Sequence, residues 1–327
     1  MKNFEEFVAG VKACVAEAFP DHDVRIQEVT KNNNVTMTGI CAFTKGATVT
    51  PTLYLDNYYS RYEELADQSG DDRAFRTVSK DIINVLRNED GTTVKGFNID
   101  EFTKFKNTKD SIYMILVNNK TNDLSDKPHR ELVGEYSILY RYNVPVPEGE
   151  GYASILVNNQ HVKTWGVEEE DLYQAAIANA SKITPIVVED MEHMMSSLLG
   201  FPIIEDESYD NSLEHGTWRT NLSLDTPMYV ISNTKRYYGA AAIAVPGVLQ
   251  EIADVFGCNL YIIPSSIHEV IIVPDNGMTD PYSLSIMIRE INDSELKPEE
   301  VLGYTLMRFD REQGKLMTVS ATADPEL

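Results

Sequence analysis

Met228-Tyr-Val-Ile-Ser-Asn-Thr-Lys-Arg-Tyr-Tyr-Gly239 opens the most strongly patterned part of the chain, which runs on to Asp275. The β-branched and aromatic residues of Met228 to Ser232 read as a strand, and Asn233 to Gly239 carry the polar and glycine content of a turn. A helix is expected from Gly247 to Phe256: Val248, Leu249, Ile252, Val255 and Phe256 recur at helical spacing, Pro246 stands near the start and Gly257 at the end. Leu260-Tyr-Ile-Ile-Pro-Ser-Ser-Ile-His-Glu-Val-Ile-Ile-Val-Pro274 follows as two apolar runs broken at Pro264-Ser265-Ser266, the pattern of a buried hairpin.

Upstream, Phe4, Phe7, Val8, Val11, Cys14, Val15 and Ala18 share one face of a helix that stops before Pro20. Val24 to Val29 and Val35 to Phe43 alternate as two strand arms about Lys31-Asn-Asn-Asn34, with Pro51 to Leu55 as a third. Helices are expected over Tyr58 to Ala66 and Asp71 to Arg87. The apolar run Ile112 to Val117 gives way to polar Asn118 to Asp123, so two lobes are expected, 1–125 and 126–327. In the second, Leu132 to Val144 is strand-like, with Tyr136, Ile138, Tyr140 and Tyr142 on one side, and Tyr152 to Val157 returns beside it. A helix from Val167 to Ala180 carries Glu168-Glu-Glu-Asp171 in its first turn, complementing the positive end of the helix macrodipole. A methionine-rich helix over Met191 to Leu199, an acidic loop near 200–225, a helix from Asp280 to Ile291 and a strand pair, Val301 to Phe309 with Lys315 to Val319, complete the reading. Three hairpin-then-helix passages share an outline without a fixed residue period. The expected class is α+β: mixed, mainly antiparallel sheets covered by helices, in two closely joined lobes.

The 327 residues, 43% apolar, suffice for one large core or two ordinary ones. Cys14, Cys41 and Cys258 sit in apolar patterns without metal or disulfide spacing and read as reduced core thiols, which favours the cytoplasm. No apolar run approaches the ~20 residues of a membrane span, and Met1 to Phe7 is acidic and amphipathic, unlike a signal peptide. With 28 basic against 51 acidic residues, the net charge of −23 disfavours direct nucleic-acid binding and anionic membranes, since both draw on Lys and Arg. Between Pro145 and Asp225, 15 acidic residues face only Lys163, Lys182 and Arg219. A solvated face accounts for such a run. The functional alternative is a surface for a basic protein partner, with Glu205, Asp206, Glu207 and Asp210 in its contact arm.

Ser265-Ser266-Ile267-His268-Glu269 is the best candidate for chemistry. In an extended strand Ser266 and His268 share a face, so a hydroxyl could approach an imidazole oriented by Glu269 or another acid. There is no G-x-S-x-G elbow, and the plainer reading has the serines in the hairpin turn and His268 packed locally. Lys235 and Arg236 beside Tyr237 form a basic turn that could hold an anion or nucleotide, although both G-x-x-x-x-G-K and G-x-G-x-x-G are missing. Glu189 and His193 stand four apart on a possible helix without H-E-x-x-H, paired cysteines or a calcium loop, so neither a metal nor a cofactor is expected. His161 and Trp165 could line a small pocket; the alternative is that Trp165 anchors the following helix to the sheet.

Met228-Tyr-Val-Ile-Ser-Asn233, Gly239-Ala-Ala241, Pro246-Gly-Val-Leu249 and above all Ile263-Pro-Ser-Ser-Ile-His-Glu-Val-Ile-Ile-Val-Pro274 resemble an uncharacterised family of gut clostridial proteins, domain of unknown function 5688. The resemblance extends over the amino-terminal helix, Val35 to Gly39, Leu156 to His161 and Trp165 to Leu172, and is weakest from Phe201 to Thr226. It implies a mobile-element setting and brings with it no activity and no catalytic residue. The expectation is therefore a cytoplasmic interaction or regulatory protein, more in keeping with a non-enzyme, that engages a protein partner through its acidic side. The alternative is a small-molecule-binding protein or hydrolase using Ser266, His268 and Glu269.

Overall fold

A computed structural model describes residues 1–44, 52–88, 99–144, 153–191, 228–277 and 279–319. The fold is α+β, and the chain divides into two compact units, Met1–Asn98 with Val144–Ala153, and Ile99–Asn143 with Ser154–Leu327.

In the first unit the helix Phe4–Ala18 begins at a reciprocal cap: the Asn3 side chain accepts the Glu6 N–H while the Glu6 carboxylate accepts the Asn3 N–H. Its buried face, Phe7, Val11 and Val15, joins one core with Ile40, Tyr62, Val78 and Ile82. Strand β1 (His22–Thr30) runs antiparallel to β2 (Thr36–Thr44), and the short β3 (Leu53–Tyr54) adds to β2 at Gly39 and Ile40. Asn33 and Asn34 turn the chain between β1 and β2 with φ of 58° and 55°, a region that asparagine tolerates better than most residues. Helices Leu55–Ser69 and Asp71–Asn88 follow, separated only by Gly70 at φ 85°.

Among the described residues the second unit holds two sheets. In the first, β4 (Ile112–Asn118), β6 (Tyr136–Val144) and β5 (Arg130–Val133) lie in that order, and β7 (Ala153–Leu156) also pairs with β6. β4 pairs with β6 from Ile112 opposite Tyr142 to Asn118 opposite Tyr136, so the polar stretch after Val117 connects two strands of one sheet. Gly134, at φ 56°, divides what the pattern reads as one strand into β5 and β6. The other sheet has the order β13-β12-β10-β11-β9-β8, comprising β8 (Ile186–Asp190), β9 (Tyr229–Asn233), β10 (Leu260–Ser266), β11 (Glu269–Pro274), β12 (Met307–Asp310) and β13 (Lys315–Thr318). Leu284 and Ile288 of the helix Pro281–Ser294 pack on Val230, Tyr261, Ile263 and Ile271 of that sheet.

Several local expectations shift. Pro264-Ser265-Ser266 does not break the hairpin: β10 runs through Ser266, absorbs a register shift after Ile263, and turns at Ile267-His268 so that Ser266 faces Glu269. Gly239–Ala244 is a fully buried 3-10 helix instead of the end of a turn. The helix Val248–Phe256 ends at Gly257 as expected, but Val255 is 46% exposed. Glu189 lies on strand β8, not on a helix. The expected helix past Met191 and the acidic loop near 200–225 fall outside the described residues.

Candidate functional site

The site is built at the end of β9, where Asn233 is 1% exposed. Its Oδ1 accepts the N–H groups of Lys235 (2.9 Å) and Tyr237 (3.4 Å), and its Nδ2 donates to the Tyr237 carbonyl (2.9 Å). One buried amide thus supplies the bonds that a tight turn needs, and around it Arg236 and Tyr238 take φ of 51° and 55°. Next comes Gly239, where a Cβ would stand 2.3 Å from Ser232 Oγ and 2.5 Å from the His268 carbonyl. The turn is thereby pressed onto the Ile267-His268 tip of the neighbouring hairpin.

His268 is tied in at three points. Its Nδ1 accepts the Tyr238 N–H (3.1 Å), its carbonyl accepts the Ser232 hydroxyl (2.8 Å), and its own N–H donates to Ser266 Oγ (3.1 Å). An Nδ1 that accepts leaves the neutral ring with its proton on Nε2. Burial holds the imidazole below its usual range, against a smaller pull from Glu300. The ring stacks on Tyr237 at 5.4 Å and 24°. Ser266 and His268 therefore do come together, but through the main chain: the hydroxyl serves a backbone N–H and the ring nitrogen serves another. Glu269 is half-buried and its carboxyl is pushed up by burial, with Arg236 pulling the other way.

Of the basic pair in the turn, Arg236 forms an ion pair with Glu189, and burial lowers the Lys235 ammonium below its usual range. Tyr237 is 39% exposed at the edge of the cluster. Beside it lies a cation that the sequence reading passed over. Arg141 of β6 stands opposite Tyr113 of β4. Its Nε donates to Ser154 Oγ at 2.9 Å, its Nη2 to the Ser154 carbonyl at 3.4 Å, and its Nη1 to the Tyr238 hydroxyl at 3.5 Å. Burial works against its charge, but Tyr238, Tyr113 and Tyr237 together leave its pKa raised. No carboxylate forms an ion pair with it among the described residues. The sequence carried one sign of this, a lone arginine in the tyrosine-rich run Tyr136 to Tyr142.

The acids of the 145–225 stretch that lie among the described residues already have duties. Glu168 and Asp171 cap the helix Glu169–Ile183, Glu169 and Glu170 hold Arg130, Glu189 holds Arg236, and Asp190 is 5% exposed. Glu205, Asp206, Glu207, Asp210 and His193 lie outside the described residues. Trp165 ends a short helix of its own, Asn159–Trp165, and donates Nε1–H to the Phe102 carbonyl of the helix Ile99–Phe102 at 2.6 Å, with Phe102 and His161 packed around its ring, so the contact shown is to another helix and not to the sheet. Among the described residues, no group of three His, Cys, Asp or Glu side chains could hold a metal ion, and no helix is long and apolar enough to cross a membrane.

A family model described as a family of unknown function, DUF5688, matches residues 4–311, nearly the whole chain. No curated protein and no solved structure gives a match.

Proposed function

Since the chain belongs to the DUF5688 family, whose function is unknown, we propose that it is a non-catalytic interaction or regulatory protein. In this reading it acts in the cytoplasm, in the mobile-element setting that the family resemblance implies, and engages a basic protein partner through its acidic side. The observation that carries the reading is the net charge of −23, with 15 acidic against 3 basic residues between Pro145 and Asp225. A field of one sign accelerates encounter with a partner of the other and repels nucleic acid.

The hairpin weighs against the hydrolytic alternative. A nucleophilic serine needs a base on its hydroxyl, yet Ser266 Oγ faces the His268 N–H and is 4% exposed. The imidazole directs Nδ1 to the Tyr238 backbone.

Immobilised full-length protein should retain a basic protein from lysate of its native host, releasing it as salt rises. The variant combining E205Q, D206N, E207Q and D210N should keep the wild-type circular dichroism and melting temperature yet lose that partner. Retention by both proteins alike, or by neither, would sink the proposal.

A further inference from the structure

We propose that Arg141 anchors a binding site for a small aromatic carboxylate, walled by Tyr237 and His268 and completed by the hydroxyls of Tyr113 and Tyr238. This inference is independent of the acidic surface. Its starting point is an electrostatic imbalance: in a chain with 51 acidic residues, Arg130, Arg236 and Arg308 each hold a carboxylate. Among the described residues Arg141, partly withdrawn from water, holds hydroxyls and a carbonyl instead. A guanidinium satisfied only by neutral oxygens keeps its full charge uncompensated, and a planar bidentate anion is the partner its fork fits best.

The geometry leaves that fork available. Only the Nε bond to Ser154 Oγ, at 2.9 Å, has good length. The Nη bonds of 3.4 and 3.5 Å are weak enough to yield to an incoming carboxylate. Tyr238 lies against the guanidinium, its ring centre 5.0 Å away, which fixes the plane of the fork. Tyr113, opposite Arg141 in the β4–β6 pair, brings its hydroxyl close to Ser154 and the guanidinium.

Two features select the ligand class. One cation with phenol donors matches a single negative charge; a phosphate dianion would call for further cations, and the neighbouring Arg236 is already paired with Glu189. Next to the Tyr238 ring lie Tyr237 and His268, stacked with their ring centres 5.4 Å apart and with Tyr237 39% exposed at the rim. An aromatic ring carrying a carboxylate could lie against that wall while its charge meets Arg141.

The test is titration of the full-length protein with benzoate, benzamide and inorganic phosphate, followed by the NMR shifts of the Tyr237, Tyr238 and His268 rings. Benzoate should shift these signals saturably, and benzamide, isosteric but uncharged, should bind at least about tenfold more weakly, as a charge-assisted pair requires. R141K, which keeps the charge and loses the fork, should weaken benzoate about tenfold, and R141M should abolish binding. Should R141M fail to fold, Y113F and Y237A, which retain the cation, must each weaken benzoate relative to wild type. No saturable shift with benzoate, equal binding of benzamide, phosphate preferred over benzoate, or undiminished affinity in these variants would each overturn the proposal.

Discussion

His268 accepts the Tyr238 N–H at Nδ1 only while its imidazole is neutral, and that ties stability to pH. Its folded pKa lies below the unfolded value of about 6.5. Above that value both states are neutral and the contribution is complete. As pH falls below it, the unfolded chain takes up a proton that the folded chain refuses, and stability is lost. Urea unfolding at about pH 8 and about pH 5.5, either side of the histidine range, should show this loss in wild type and a smaller one in His268→Asn, whose Oδ1 can still accept the N–H. An equal loss in both proteins would place the titration elsewhere. Glu269 works in the opposite direction. Its folded pKa is raised by burial, so its contribution is complete below about 4.3 and declines as pH rises through the folded value. Glu269→Gln should therefore be more stable than wild type near neutral pH and gain nothing in acid. A variant less stable at neutral pH would mean that the Arg236 attraction outweighs burial.

The turn from Asn233 to Tyr238 shows how an element can rest on one side chain. Asn233→Ala removes three contacts to backbone groups around a residue that is 1% exposed, a loss of about 1–3 kcal/mol in urea unfolding if the freed groups stay dry. Gly239→Ala should cost more, because the added Cβ meets the His268 carbonyl at 2.5 Å and the Asn233 nitrogen at 2.6 Å, and backbone cannot step aside as a flexible side chain can. If Gly239→Ala were as stable as wild type, the close approach of turn and hairpin would not hold. The same region marks how far the sequence could be read. Strand β9, the helix Val248–Phe256 and the hairpin arms were legible because each has a local period and end signals. The buried helix Gly239–Ala244 was hidden because residues buried all round leave no period. Pro264-Ser265-Ser266 read as a breaker because the polar groups of Ser266 find backbone partners only in the folded state: its hydroxyl accepts the His268 N–H and its main chain bridges to Val301. Arg141 was missed for a related reason. Its surroundings come from β4, from Ser154 of β7 and from the Tyr238 turn, and no window of sequence contains them together.

At the scale of the whole molecule the charge of −23 acts on folding and on association with opposite sign. Within the chain, like charges repel and work against compactness. Raising ionic strength from about 10 mM to about 150 mM shortens the screening length from about 30 Å to about 8 Å, so the melting temperature should rise over that range, most steeply at the low end. With a basic partner the charges attract, and the same salt should weaken the complex. These opposed responses separate two explanations of a salt-sensitive pull-down. If the partner is released while the melting temperature climbs, release cannot come from unfolding, and charge complementarity accounts for it. A melting temperature that falls with added salt would show instead that ion pairs such as Arg130 with Glu169 and Glu170, or Arg308 with Asp275, outweigh the repulsion among the surplus acids.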